Sequence, residues 1–90
     1  MNIAVISYSV RDFVRFVNER VSSVRDLEFY RYKIIDTLSN KSYIMIQNEQ
    51  QLRGCQFDEV KETLQAYKLK DYQNIKFTLG FRVRELIYDK

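Results

Sequence analysis

The chain has 90 residues, 15 basic against 12 acidic for a net charge of +3, with 46% of positions hydrophobic and 14% aromatic. This predicts one globular domain, residues 1–90, with apolar material for a single modest core. No apolar run approaches the roughly 18 residues of a membrane span, no basic stretch precedes the short apolar start as in a secretory leader, and with no histidine and one cysteine an internal disulfide and a Cys/His zinc site are excluded.

Residues 2–7 are almost wholly apolar and predict a central strand covered on both faces. Ser9, with Asp12 three residues later, is a weak capping box that opens a helix over about 9–23. Val10, Phe13, Val14, Val17, Val21 and Val24 form its apolar stripe, and Arg11, Arg15, Asn18 and Ser22 line the opposite side. Phe13 and Val17, mid-stripe, are expected in the core. From Phe29 the period changes to two. Residues 29–37 and 42–47 read as strands of a hairpin joined by the turn-forming Leu38-Ser39-Asn40-Lys41. Gly54 breaks the chain. Phe57, Val60, Leu64 and Tyr67, spaced by three, four and three, predict an amphipathic helix over about 57–69. Ile75, Phe77, Leu79, Phe81 and Val83 then alternate with Lys76, Thr78, Gly80, Arg82 and Arg84, the pattern of a half-exposed strand. Residues 85–90 fit a strand end, a helical turn or a tail. The order β-α-β-β-α-β predicts a two-layer α+β domain: a four-stranded, mainly antiparallel sheet with two helices on one face, as in ferredoxin-like domains.

The side chains that catalysis needs are sparse. Without histidine the commonest general base is missing, and Cys55 has no imidazole to activate it. Asp36 at a strand end and the triplet Glu59-Val60-Lys61 match the acid and acid-x-Lys of a metal-dependent nuclease, but Ile35 stands where that pattern has proline. The predicted helix also takes Glu59 and Lys61 off the strand where they would converge. With Gly54 and Gly80 the only glycines, no phosphate-cradling loop can be written. No enzymatic activity, metal or cofactor is expected.

Ile3-Ala4-Val5-Ile6-Ser7-Tyr8-Ser9 with Asp12-Phe13, and Leu52-Arg53-Gly54-Cys55-Gln56-Phe57-Asp58-Glu59-Val60, are similar to two segments of phage terminase ATPases. These are the strand-to-helix step after the nucleotide loop and the approach to the Walker B acid. Over about residues 3–60 the chain resembles small phage proteins that look like such cores with the nucleotide loop lost. The resemblance implies a phage origin, no activity, and a strand rather than a helix at 57–61. Lys61-Glu62-Thr63 replaces the apolar strand and acidic pair of the ATPases.

Charge is uneven: residues 1–33 carry six basic and four acidic groups, 34–66 three and five, and 67–90 six and three. In the ferredoxin-like arrangement Tyr30, Tyr32 and Ile34 face the helices, which turns Arg31 and Lys33 outward on one sheet edge. Lys76, Arg82 and Arg84 line the other edge. Between them the open face shows either Tyr43 and Met45 or Ile44 and Ile46. Aromatics among basic edges suit single-stranded nucleic acid, and the same surface suits an acidic protein. Arg11 and Arg15, on the outer helix face, make a second candidate surface. The functional expectation is a small non-enzymatic binding protein, a phage-encoded regulator or inhibitor that occludes a macromolecular partner in the cytoplasm of the host cell. An acidic protein is the expected partner; the alternative is a nucleic-acid-binding module using the open sheet. The strand at 75–83, an edge shielded only by its cations and a bulge at Gly80, could also support a two-fold homodimer.

Overall fold

A computed structural model describes residues 1–21, 23–52, 56–79 and 88–89. Strand β1 (Asn2–Ile6) lies inside the sheet, with Ile3 and Val5 in one apolar layer, Ala4 and Ile6 in another, and all four buried. A strand covered on both faces needs apolar residues at successive positions, and the sequence supplies them. The chain then enters helix α1 (Val10–Asn18). Ser9 adopts extended N-cap angles and its hydroxyl accepts the Asp12 amide at 3.1 Å. At the other end the Arg20 guanidinium donates to the Phe16 carbonyl at 3.2 Å and the Arg20 amide to the Val17 carbonyl at 3.0 Å. These bonds satisfy carbonyls that a helix end leaves open, and the helix stops short of residue 23. Phe13, Phe16 and Val17 are its buried apolar face; Val10, assigned to the same stripe by its spacing, is exposed.

Strands β2 (Leu27–Tyr30), β3 (Lys33–Asp36) and β4 (Lys41–Ile46) follow as an antiparallel meander. The expected single strand at 29–37 is therefore two strands, folded back at Arg31 and Tyr32. The expected turn between β3 and β4 is present. Asn40 takes φ 56°, which asparagine tolerates, and the Asp36 carboxylate accepts the Leu38 amide at 3.2 Å and the Ser39 hydroxyl at 2.7 Å. A turn of 3-10 helix at Glu49–Leu52 carries Leu52 into the second apolar layer. Strand β5 (Glu59–Glu62), a second 3-10 turn (Ala66–Lys68), helix α2 (Tyr72–Leu79) and the two-residue β6 (Tyr88–Asp89) complete the order.

The α+β class holds, as one mixed sheet with two helices, but its arrangement differs from the ferredoxin-like expectation. The strand order is β2-β3-β4-β1-β5-β6, and β1 is parallel to both β4 and β5. Helix α1 covers Ile3, Val5, Ile34, Tyr43 and Met45 on one face. Leu52, Ala66 and Ile75 of α2 cover Ala4, Ile6, Ile46 and Val60 on the other, so the helices lie on opposite faces in three layers. The helix expected at 57–69 is β5 and a turn. Phe57 and Val60 are buried beside β1, whereas Leu64 is 83% exposed, so the four residues share no stripe. The strand expected at 75–83 begins as α2: Ile75 is buried and Phe77 is 73% exposed, which strand alternation does not allow. Its remainder, with Gly80, Arg82 and Arg84, lies outside the described residues, and so does that part of the edge expected to support a homodimer. Among the described residues no helix is long and apolar enough to cross a membrane.

Candidate partner-binding surface

Because β1, β4 and β5 run in one direction, the loops that follow them gather at one end of the sheet, and the β2–β3 turn joins them there through the Met45 amide to the Tyr32 carbonyl at 2.8 Å. Open α/β sheets bind ligands at this end, where neighbouring strands send their helices to opposite faces. Here that place lies between β1 and β5, and the chain's own side chains fill it. The Thr63 hydroxyl donates to the buried Asp12 carboxylate, which also accepts the Tyr8 amide at 3.0 Å and stands 3.5 Å from the Arg15 guanidinium. The Thr63 amide donates to the Ile6 carbonyl at 3.0 Å. Beside them Glu62, also buried, accepts the Tyr72 hydroxyl on both carboxylate oxygens at 2.9 and 3.0 Å, with Lys76 Nζ at 3.5 Å. Burial pulls the Lys76 ammonium down, but the Tyr72 hydroxyl and the Glu62 carboxylate outweigh it and hold its pKa above the ordinary value. A hollow of about 320 Å³ flanks Asp12, Glu62 and Leu64. Its two buried carboxylates are already bonded, and they tie β1, β5, α1 and α2 together.

Exposed at this end are Tyr8 after β1, Leu64 and Tyr67 after β5, and the aromatic residues of the β2–β3 hairpin. Phe29 pairs with Ile34 in register and so points to the α1 face. Nine residues of α1 reach only about 14 Å, so the helix leaves β2 largely uncovered, and Phe29 is 56% exposed. Between hairpin and helix lies an apolar groove of about 440 Å³ with Phe13, Val14, Ile34 and Met45 lining it and Val10, Phe29 and Tyr32 at its margin. Tyr30 points to the other face, with Lys33 Nζ 5.6 Å from its ring; the Arg31 guanidinium is 5.3 Å from the Tyr32 ring. Scattered exposed apolar side chains are ordinary, but Val10, Phe29 and Tyr32 all border one groove. Tyr32 adds an energetic argument. It holds φ 63°, where Cβ crowds the following carbonyl and a residue other than glycine, asparagine or aspartate costs about 1–2 kcal/mol. The tyrosine is nevertheless kept there, 44% exposed at the tip.

The structure disperses the residues that the sequence nominated. Arg31 belongs to this hairpin and lines the groove; Lys33 pairs with Tyr30 and so lies on the opposite face of the sheet, and Arg11 is exposed on α1 after Val10. Arg15 sits a turn further along α1, paired with Asp12. Tyr43 is 3% exposed, under α1. Burial, then the Asp36 and Glu59 carboxylates, push its hydroxyl above the ordinary tyrosine value of 10.0 against the opposing pull of Arg20. Lys76 is on α2 with Glu62, not on a sheet edge. Arg82, Arg84 and Cys55 lie outside the described residues. With α1 on one face and α2 on the other, the sheet does not have the one wholly uncovered face that the ferredoxin-like arrangement predicts. Nor do the nuclease candidates meet: Asp36 is on β3 and Glu59 on β5, with β4 and β1 between them, about 14 Å across the sheet. The spacing put Val10 in the apolar stripe of α1, where it is exposed instead, and turned Tyr30 and Tyr32 toward the helices. The signal that could have corrected it is the run Phe29-Tyr30-Arg31-Tyr32-Lys33: adjacent aromatics in a strand point to opposite faces, so one core cannot bury them all.

The fold and surface define a small α+β domain whose accessible chemistry at the loop end of the sheet is aromatic, aliphatic and cationic. Compared with known proteins, the chain matches no family model, no curated protein and no solved structure.

Proposed function

We propose that this chain is a small binding protein without catalytic activity that acts by occluding a protein partner, with the groove between α1 and the β2–β3 hairpin as its contact surface. The observation that carries the reading is that groove: an apolar floor, exposed Phe29 and Tyr32 beside it, and Arg31 at its margin. Aromatic anchors next to arginine are the composition of interface hot spots. An apolar floor offers no hydrogen-bonding groups to base edges, so protein is favoured over nucleic acid. A phage-encoded regulator is the biological setting that the resemblance over residues 3–60 suggests.

The test uses three baits in a nuclease-treated lysate: the wild type, Phe29→Lys with Tyr32→Gly, and Arg15→Glu. The captured protein is then purified and its direct affinity and its own activity are measured with each bait. Truncating a hot-spot aromatic costs about 2 kcal/mol, so the groove variant should bind about 30-fold or more weakly. Arg15→Glu should bind like the wild type, and the partner's activity should fall in proportion to the chain bound. Equal binding by the groove variant would overturn the proposal.

A further inference from the structure

We infer that the free edge of β2 takes an extended segment of the partner as an added strand, one that sets an apolar side chain into the groove and acidic side chains against its rim. This rests on the binding function proposed above and adds the conformation and chemistry of what is bound. β2 ends the sheet order, so among the described residues nothing pairs with its outer side. The hairpin register fixes which groups face out. Tyr30 and Lys33 close the β2–β3 turn and therefore exchange both of their backbone bonds. Bonded and non-bonded pairs alternate, so Glu28 and Ile35 bond next; the Thr37 amide to the Asp26 carbonyl, at 3.1 Å, continues the same parity. Phe29 lies between these pairs, and its N–H and carbonyl point away from the sheet. The Leu27 carbonyl does likewise, while the Leu27 amide is taken by the Val24 carbonyl.

Natural edge strands are protected by lysine, proline or bulges. β2 reads Leu-Glu-Phe-Tyr and has none of these; it shows Phe29 and Tyr30 to solvent instead. Strand addition joins backbone bonds, which supply affinity, to alternate side-chain pockets, which supply specificity. Both are present. A residue added opposite Phe29 would share its face and reach the groove beside Val10 and Val14. The exposed Arg25 and Arg31 flank the two ends of β2, against one exposed acid in the strand, Glu28. That balance selects an acidic segment and disfavours a second copy of this chain, which would bring the same cations against themselves. An oligonucleotide has no backbone amides with which to continue the ladder.

The test is selection of a displayed random 12-residue peptide library against the intact chain. Affinities of enriched peptides and of their backbone N-methylated forms are then measured, together with amide exchange of the chain. Expected are peptides with apolar residues at alternate positions and an acidic excess. N-methylation at every second residue should weaken them tenfold or more, and the Phe29 amide should exchange at least tenfold more slowly on binding. Peptides with apolar residues at helical spacing, displaced by Phe29→Lys but leaving the Phe29 amide unprotected, would refute strand addition and leave the groove as a binding surface. Absence of enrichment, or enriched peptides held equally by Phe29→Lys with Tyr32→Gly, would overturn both. Slowed Phe29 exchange with a twenty-residue oligothymidine, and no peptide enriched, would mean that the hairpin binds nucleic acid and that the protein partner is wrong.

Discussion

Replacing Tyr32 by alanine and by glycine separates the backbone conformation from the ring. Both variants lose the aromatic side chain, its contacts and its approach to Arg31, so those losses cancel in the comparison. What differs is the Cβ. At φ 63° the alanine keeps a left-handed penalty of about 1–2 kcal/mol that glycine escapes. Glycine in turn loses about 0.4–1 kcal/mol through the greater freedom of its unfolded chain. The glycine variant should therefore be the more stable by about 0.5–1 kcal/mol, several degrees in melting temperature for a domain of this length. At an ordinary position with negative φ the order is reversed. Urea titrations of both proteins, fitted with a common slope, resolve the sign. Equal stability, or a more stable alanine variant, would show that Tyr32 carries no strain and would remove the energetic argument for the hairpin tip. Both variants should lose partner binding to the same extent, because binding depends on the ring.

Thr63→Val should destabilise the fold by about 1.5–3 kcal/mol in chemical denaturation, since it removes a hydroxyl that donates to the buried Asp12 carboxylate, while Thr63→Ser should keep most of that stability. Phe13→Ala should cost about 3–5 kcal/mol, read as a large fall in melting temperature; an unchanged value would mean that α1 does not pack as described. Alkaline pH should destabilise the protein through Tyr43. Its folded pKa is raised above 10.0, so its contribution is complete below that pH. Above it the unfolded chain ionises first, binds fewer protons than the folded one, and stability falls as pH rises. Tyr43→Phe should flatten that decline in denaturation series run above pH 10.0.

Much of the fold could be read from periodicity where one element faces one environment. β1 is apolar throughout because it is covered on both faces, α1 announces itself by Ser9 and Asp12, and the β3–β4 turn by Asn40. The second half misled for a specific reason. Ile75 and Leu79 are four apart, a spacing that satisfies period two and period 3.6 alike, so α2 could pass for a strand. Four-residue β5 is too short to show its own period, and Phe57 and Val60 joined by chance with exposed Leu64 and Tyr67 into an apparent helical stripe. The surface was hidden by its turn. Arg31-Tyr32 contains no glycine, asparagine or proline, so nothing marked a reversal inside residues 29–37. The local rule fails most visibly at Tyr32, which holds φ 63° where glycine is the usual residue.

The claim that the hairpin and α1 form the binding surface is tested most directly by site-specific photo-crosslinking in cells that produce the chain. A benzophenone amino acid is placed at Phe29 or Tyr32, and in parallel at Leu64 or Tyr67, which are also exposed and apolar but lie on the loops after β5. Adducts to one protein from positions 29 and 32, and none from 64 and 67, are the expected result. Adducts from 64 and 67 alone would place the partner on the β5 side of the sheet and contradict the assignment.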